Sequence, residues 1–284
     1  MIDRVRFVKG HGTGNDFVIL PDPDGQLELT PTLVRALCDR RRGIGADGVL
    51  RVVRTTREPE AAGAAGAADW FMDYRNSDGS IGDTCGNGLR VFTRYLVAAG
   101  LAEPAPAGLP IATRAGVVTA VVRERDIAVD LGRPTVRGDS AATVDGRTFP
   151  GVAVDCGNPH LVCSVPSDAE LAALDLSRPP DYDPAVFPAG VNVEFVTLAE
   201  PVPGADAHVR MRVYERGAAE TYSCGSGACA VAAVTARNAG LDSGTVAVDV
   251  PGGRLTITLD GEDCWLAGPA VLVASGEVDP AALG

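Results

Sequence analysis

Twice in this chain a run with strand character ending in a tyrosine gives way to Ser/Thr-Cys-Gly-polar-Gly and then to a helix, first as Thr84-Cys85-Gly86-Asn87-Gly88 and again as Ser223-Cys224-Gly225-Ser226-Gly227. A motif repeated about half a chain apart predicts two copies of one folding unit. It also sets each cysteine at a helix N-terminus, where unpaired backbone N–H groups and the positive end of the helix dipole favour a thiolate. The thiol pKa can therefore fall below its ordinary value of about 8.5, and each cysteine is a candidate thiolate. If the halves pack face to face across a pseudo-two-fold, the two sulfurs come to opposite sides of one crevice. Such a pair suits inversion at carbon, one group removing a proton and the other supplying one.

The 284 residues suffice for two domains with separate cores, and a composition 46% hydrophobic and 22% charged is ordinary for a soluble globular protein. No apolar run approaches the roughly 18 residues of a spanning helix. The N-terminus, Met1 to Phe7, alternates like a strand and does not resemble a signal peptide. A net charge of −12 works against nucleic-acid backbones and anionic membranes, and the triplet Arg40-Arg41-Arg42 reads as a solvated helix end. Seven cysteines, an odd number, do not suggest a secreted disulfide scaffold and point to the cytoplasm. His11, His160 and His208 lie far apart without zinc-ligand spacing, and Lys9 is the only lysine available for a pyridoxal-phosphate Schiff base. No cofactor and no metal are expected.

The order of parts repeats along the chain. The first half runs from an N-terminal strand through a glycine-rich turn at Gly10 to Asn15, an apolar strand at Phe17 to Leu20, and a helix from Leu33 to Arg40. Glu58 to Ala68, rich in alanine and glycine, reads as a surface insertion of variable length. A buried strand, Trp70 to Tyr74, leads to the first cysteine turn; Leu89, Phe92 and Leu96 then recur at helical spacing, and Gly100 is placed to end the helix. A proline-rich linker, Ala102 to Pro110, separates a first lobe over 1–112 from a second over 113–270. In the second lobe Gly157-Asn158-Pro159-His160-Leu161-Val162 echoes Gly14-Asn15-Asp16-Phe17-Val18. Strands at Val191 to Val196 and His208 to Tyr214 precede the second cysteine motif, whose alanine-rich helix closes at Gly240. A hairpin pairs Val246 to Val250 with Leu255 to Leu259, and the segment 271–284, with apolar Val271 to Val273, is expected to return to the first lobe.

Most free cysteines are small buried hydrophobes, and Cys38, Cys156, Cys163, Cys229 and Cys264 fit that reading. Cys85 and Cys224 differ because flanking glycines admit a ligand to the backbone. The N–H groups of Gly86, Asn87, Gly225 and Ser226 form two anion cradles for a carboxylate, each fixed donor contributing about 3 kcal/mol as charge develops in a transition state. Gly43-Ile44-Gly45-Ala46-Asp47-Gly48 matches the dinucleotide fingerprint by letters, but it follows a helix end and precedes a strand, so it reads as a turn near the active site. Asn15, Asn76, Asn158 and Asn192 stand at turns or strand ends, where asparagine often caps backbone. With Arg216 they also make a set suited to gripping a second carboxylate or amine away from the reacting carbon. Glu215 is either an ammonium ligand or a solvated strand-end charge, and His160 either a structural histidine or one tuning a nearby thiol.

In these motifs, together with Asn76-Ser77-Asp78-Gly79, Val191 to Val196 and Tyr214 to Gly217, the chain resembles the diaminopimelate epimerase family over nearly its whole length. The resemblance implies an α/β fold of the α+β type, with two similar domains related by a pseudo-two-fold, each a curled, mostly antiparallel sheet around a central helix, and a homodimer. It implies cofactor-independent interconversion of LL- and meso-diaminopimelate, with Cys85 and Cys224 as base and acid. By the same resemblance Gly86, Asn87, Gly225 and Ser226 hold the reacting carboxylate and Glu215 the reacting amine. Asn76, Asn158, Asn192 and Arg216 then read the distal end, Asn15 lines the site, and His160 and Glu215 adjust thiol acidity. Asp83-Thr84, Ala219 and Gly48 depart from the commonest family pattern. Three rivals stand beside this: a cofactor-free racemase of another amino acid, an isomerase using carboxylate chemistry on a related fold, and a non-catalytic small-molecule binder.

Overall fold

Strands make up most of the regular structure, and they pair in the same pattern twice. The computed structural model describes residues 4–283, so the first three residues of the alternation at the N-terminus, and Gly284 at the other end, lie outside the described residues. The chain forms two compact units, divided between Val129 and Asp130 and again between Gly268 and Pro269, the last segment belonging with the first unit.

The first unit opens with β1 (Val5–Gly12) and β2 (Asn15–Pro21), an antiparallel hairpin turned at Thr13 and Gly14, both at positive φ. The chain crosses through α1 (Pro31–Cys38) to β3 (Gly48–Arg54), parallel to β2, and doubles back as β4 (Trp70–Asn76). It crosses again through α2 (Gly86–Ala98) to β5 (Leu109–Thr113), parallel to β4, and finishes with antiparallel β6 (Gly116–Val122) and β7 (Ile127–Asp130).

The second unit follows the same course. β8 (Thr135–Val144), β9 (Arg147–Asp155) and β10 (Pro159–Ser164) pair antiparallel in turn. After α3 (Asp168–Ala173) and the two-residue β11 (Asp181–Tyr182), which pairs with β8, β12 (Asn192–Leu198) lies parallel to β10. β13 (Ala207–Glu215) pairs with β12 and with the short β14 (Ala219–Thr221). α4 (Gly225–Asn238) then leads to β15 (Gly244–Val250), parallel to β13, and antiparallel β16 (Gly253–Asp260) and β17 (Asp263–Gly268) end the run. β18 (Val271–Val278) returns to pair antiparallel with β1, taking beside β1 the place that β8 holds beside β9. Each parallel pair is joined through a helix, as the geometry of a parallel connection requires. This is an α/β fold of two similar, mostly antiparallel sheets.

Each sheet curls around one helix. α2 packs against β1, β2, β3, β4, β6 and β18, and Leu89, Phe92 and Leu96, the residues at helical spacing, are buried. Gly100 at φ +66° ends this helix in the left-handed conformation that glycine adopts without steric cost. α4 is buried on more than one face by alanine and valine, from Ala228 to Ala236. Small side chains let strands on several sides, from β9 and β10 to β17, approach its axis. Among the described residues no helix is long and apolar enough to cross a membrane.

The stretch from Glu58 to Ala68 lies at the surface, most of its residues exposed, but it is anchored: it forms a 3₁₀ turn at Pro59–Ala64, and Ala61 within the turn and Ala68 beyond it are buried with Val53, Phe71 and Ala112. Its acidic residues also join a buried ion network. Arg51 on β3 donates to Asp22, to Glu58 and to its cross-strand neighbour Asp73, while Glu60 receives Arg114. Asp73, fully buried, is held by Arg51, Arg75 and Arg114, and these guanidinium groups outweigh its burial and keep its carboxyl below the usual range. The stability this supplies is complete above the unfolded carboxyl value of about 3.9 and is withdrawn as pH falls below it. Arg51→Met, which leaves Asp22 and Asp73 buried with one cation fewer, is expected to lose about 3 kcal/mol of stability, read from the midpoint of urea unfolding at neutral pH.

Candidate active site

Each cysteine of the repeated motif caps its helix with sulfur. In the first unit Cys85 has extended backbone (φ −152°) and its Sγ accepts the N–H of Gly88 at 3.4 Å. In the second unit Cys224 (φ −114°) accepts the N–H of Gly227 at 3.4 Å. A hydroxyl or carboxylate usually fills this role; a sulfur there is a cap that can ionise. Gly86 and Asn87 on α2, and Gly225 and Ser226 on α4, form the first turns that follow the two cysteines, where helix geometry presents N–H groups outward.

Asn15 and Asn87 stand beside Cys85. Its Sγ lies 3.8 Å from Oδ1 of Asn15, which also accepts Nδ2 of Asn87 at 3.2 Å. Nδ2 of Asn15 donates to Asp47 Oδ2 at 2.8 Å, so the glycine-rich turn after α1 does reach this corner. Arg90, one turn along α2 and fully buried, escaped the sequence reading; it donates to Pro269 O at 2.8 Å, to Thr13 Oγ1 at 3.3 Å and to Asn87 Oδ1. Asn76 is engaged within its own turn, its Oδ1 accepting Tyr74 OH at 2.7 Å and its Nδ2 donating to Ser80 Oγ at 2.9 Å.

Cys224 is surrounded by carboxylates. Its sulfur lies 3.6 Å from Ser226 Oγ. Burial, then the charges of Glu215 and Glu194, push its thiol well up, and these outweigh the helix N–H that favours the thiolate. The fall in thiol pKa that a helix N-terminus allows is therefore overturned at Cys224. Glu215, half-buried at the end of β13, accepts Thr221 Oγ1, and burial raises its own carboxyl. Ala219, close by, adopts φ +62°, a left-handed conformation that explains why glycine is the favoured residue at such a position.

Glu194 is a second residue the sequence reading missed. It is fully buried on β12, its Oε1 lies 2.7 Å from His160 Nδ1, and its Oε2 has no hydrogen-bond partner among the described residues. His160 Nε2 in turn meets Asn158 Oδ1 at 3.1 Å. Glycine at 227 is required here, because a Cβ would come within 2.5 Å of Glu194 Oε1. The signal was present: a glutamate within an apolar strand, two residues beyond Asn192 and so on the same face. Asn192 Oδ1 accepts the N–H of Arg216 at 2.9 Å, and the Arg216 guanidinium reaches Ala189 O at 2.6 Å. Burial also raises Cys38 and Cys163 to about 12 and raises Cys156, while Cys229 is raised by its hydrogen bond with Cys264 and then by burial.

The comparisons with known proteins agree over the whole length. A family profile described as diaminopimelate epimerase matches residues 7–136 and 152–278. A diaminopimelate epimerase of Streptomyces coelicolor is 52% identical, covering 99% of this chain and 98% of its own, and one of Mycolicibacterium smegmatis is 48% identical, covering 96% and 97%. Among solved structures, a phenazine biosynthesis protein of the PhzF family from Bacillus anthracis aligns with a TM-score of 0.72 at 20% identity, covering 98% of this chain and 99% of that one. A probable proline racemase from Agrobacterium radiobacter gives a TM-score of 0.65 at 16% identity, covering 99% and 96%. These last two likenesses show the fold.

With Glu215 ionised in the alkaline range, its charge opposes ionisation of Cys224. Glu215→Gln is expected to bring the midpoint of Cys224 alkylation, followed by mass spectrometry across an alkaline pH series, down by about one pH unit.

Proposed function

The chain belongs to the diaminopimelate epimerase family and is an isomerase, and from that premise we propose that it interconverts LL- and meso-diaminopimelate by a two-cysteine 1,1-proton transfer. The observation that carries the mechanism is the pair of sulfur-capped helices, Cys85 on α2 and Cys224 on α4, each with a helix N–H at 3.4 Å from its sulfur. Relatives bearing the epimerase name at 48% and 52% identity support the substrate.

In this scheme one cysteine acts as thiolate and takes the α-proton, becoming a thiol. The electron pair left on carbon is delocalised into the adjacent carboxylate, whose oxygens accept the N–H groups of Gly86, Asn87, Gly225 and Ser226. Such donors act without reorganising at the moment of reaction. The other cysteine, a thiol, delivers its proton to the opposite face and becomes a thiolate. One proton is lost and one gained, so the configuration inverts with no change in oxidation state, and reversal uses the swapped protonation states. The raised Cys224 thiol supports its taking part as a proton donor.

Glu215 holds the reacting ammonium, and Asn15, Asn76, Asn158, Asn192 and Arg216 read the distal amino-acid end, with His160 and Glu215 adjusting thiol acidity. The same reading takes the protein as a cytoplasmic homodimer that works without a cofactor, with diaminopimelate as its small-molecule partner.

Solvent deuterium should enter the α-position of LL-diaminopimelate as meso product forms, and no incorporation would defeat the proposal. Cys85→Ala and Cys224→Ala are each expected to lose about 10³-fold or more in epimerisation, as removal of an acid or base implies, while serine variants retain slow exchange from one face. Because activity needs one protonated and one ionised sulfur, kcat/KM should follow a bell in pH whose limbs belong to the pair.

A further inference from the structure

Asn15 and Asn87 are amides, and an amide can present either a donor or an acceptor on a given side. Their orientation is decided by the two ends of the chain of hydrogen bonds they form. At one end stands Arg90, whose guanidinium can only donate, and it donates to Asn87 Oδ1. That leaves Asn87 Nδ2 to donate to Asn15 Oδ1 at 3.2 Å. At the other end stands Asp47, whose ionised carboxylate can only accept, and it takes Asn15 Nδ2 at 2.8 Å. Reversing either amide alone would set like against like in this run.

We infer that Arg90 and Asp47 are positioning residues that together polarise an Arg90–Asn87–Asn15–Asp47 relay, fixing the Asn15 carbonyl oxygen toward the Cys85 thiol. The oxygen lies 3.8 Å from Sγ and accepts from the protonated sulfur, aiming its proton and opposing its loss.

The ends of the relay are themselves anchored. Asp47 Oδ1 receives Arg40 Nη2 at 2.7 Å, and Asp47 Oδ2 also accepts the Asp16 N–H at 3.1 Å. Arg90 bridges α2 to Thr13 and Pro269, and a Cβ on Gly12 would lie 3.1 Å from its Nη2, so the hairpin turn closes over the guanidinium. The charged groups at this corner are Lys9 on β1, Asp16 on β2, Arg40 and Asp47 in the turn after α1, and Arg90 on α2. The role assigned to the relay in proton transfer rests on the two-cysteine reading.

The test is Asp47→Asn, of the same shape but without the charge that holds Asn15 Nδ2, which weakens the far end of the relay and with it the hold of the Asn15 oxygen on the Cys85 proton. The rate of Cys85 alkylation is followed against pH in the resting enzyme by mass spectrometry. Its midpoint is expected to fall by about 0.7 of a pH unit with the alkaline plateau unchanged, which corresponds to a hydrogen bond of about 1 kcal/mol. In an Asn15→Ala background the same substitution is expected to shift the midpoint much less. An unmoved midpoint, a change in plateau alone, or an equal shift in both backgrounds would overturn the relay.

Should Asp47→Asn not fold, the unmodified protein answers by NMR. Nuclear Overhauser contacts from the Asn15 side-chain amide protons to the Asp47 β-protons support the relay, and contacts to the Cys85 β-protons overturn it. Neither readout needs turnover, so a failed deuterium assay with a shifted midpoint removes the epimerase reading and leaves the relay standing; the converse removes the relay alone.

Discussion

A sulfur atom accepting the third N–H of a helix is the contact on which both halves of this molecule are built. The cap fixes the cysteine rotamer, sets the sulfur at the first turn of the helix, and demands small residues next to it. A Cβ on Gly88 would meet Cys85 Cβ at 3.3 Å, and one on Gly227 would strike Glu194. The helix behind each cap must be held firmly for the cap to define a site. The curled sheets do this, enclosing α2 and α4 on several sides with apolar side chains.

The two units share a path of strands and crossovers but not the polar chemistry laid on it. Asn15 and Asn158 stand at echoing positions, each just before or at the start of a strand, yet their amides meet different partners. The oxygen of Asn15 faces a thiol while its nitrogen is bound by Asp47. The oxygen of Asn158 is engaged by His160, backed by the buried Glu194. The described neighbours of Cys85 include the amide of Asn15, and those of Cys224 include the carboxylates of Glu215 and Glu194, so equivalent backbone positions carry different polar groups.

Much of this was legible from local pattern. The cysteine turns, the helix positions of Leu89, Phe92 and Leu96, and the hairpin of β15 and β16 follow from periodicity and glycine placement, because these depend on residues a few positions apart. The anchoring of the stretch from Glu58 to Ala68 was not legible because alanine carries almost no signal of whether it is exposed or packed. The burial of Ala61 and Ala68 is decided by Val53, Phe71 and Ala112, which come from strands. Glu194 and Arg90 were passed over for a related reason. A single charge inside an apolar run looks like an edge residue until its partner, His160 or Asn87, is known.

By itself the sequence determined that there are two repeated units, that each carries a cysteine at a helix start, and which family the motifs spell. These are properties of short segments, set by backbone preference and hydrophobic period. Only the tertiary structure decided that Cys224 is raised rather than lowered, that Asn15 presents its oxygen to Cys85, and that Glu194 stands behind the second helix. The helix field that favours a thiolate acts over a single turn, whereas desolvation and the charges of Glu194 and Glu215 come from β12 and β13, so the balance exists only once those strands are packed.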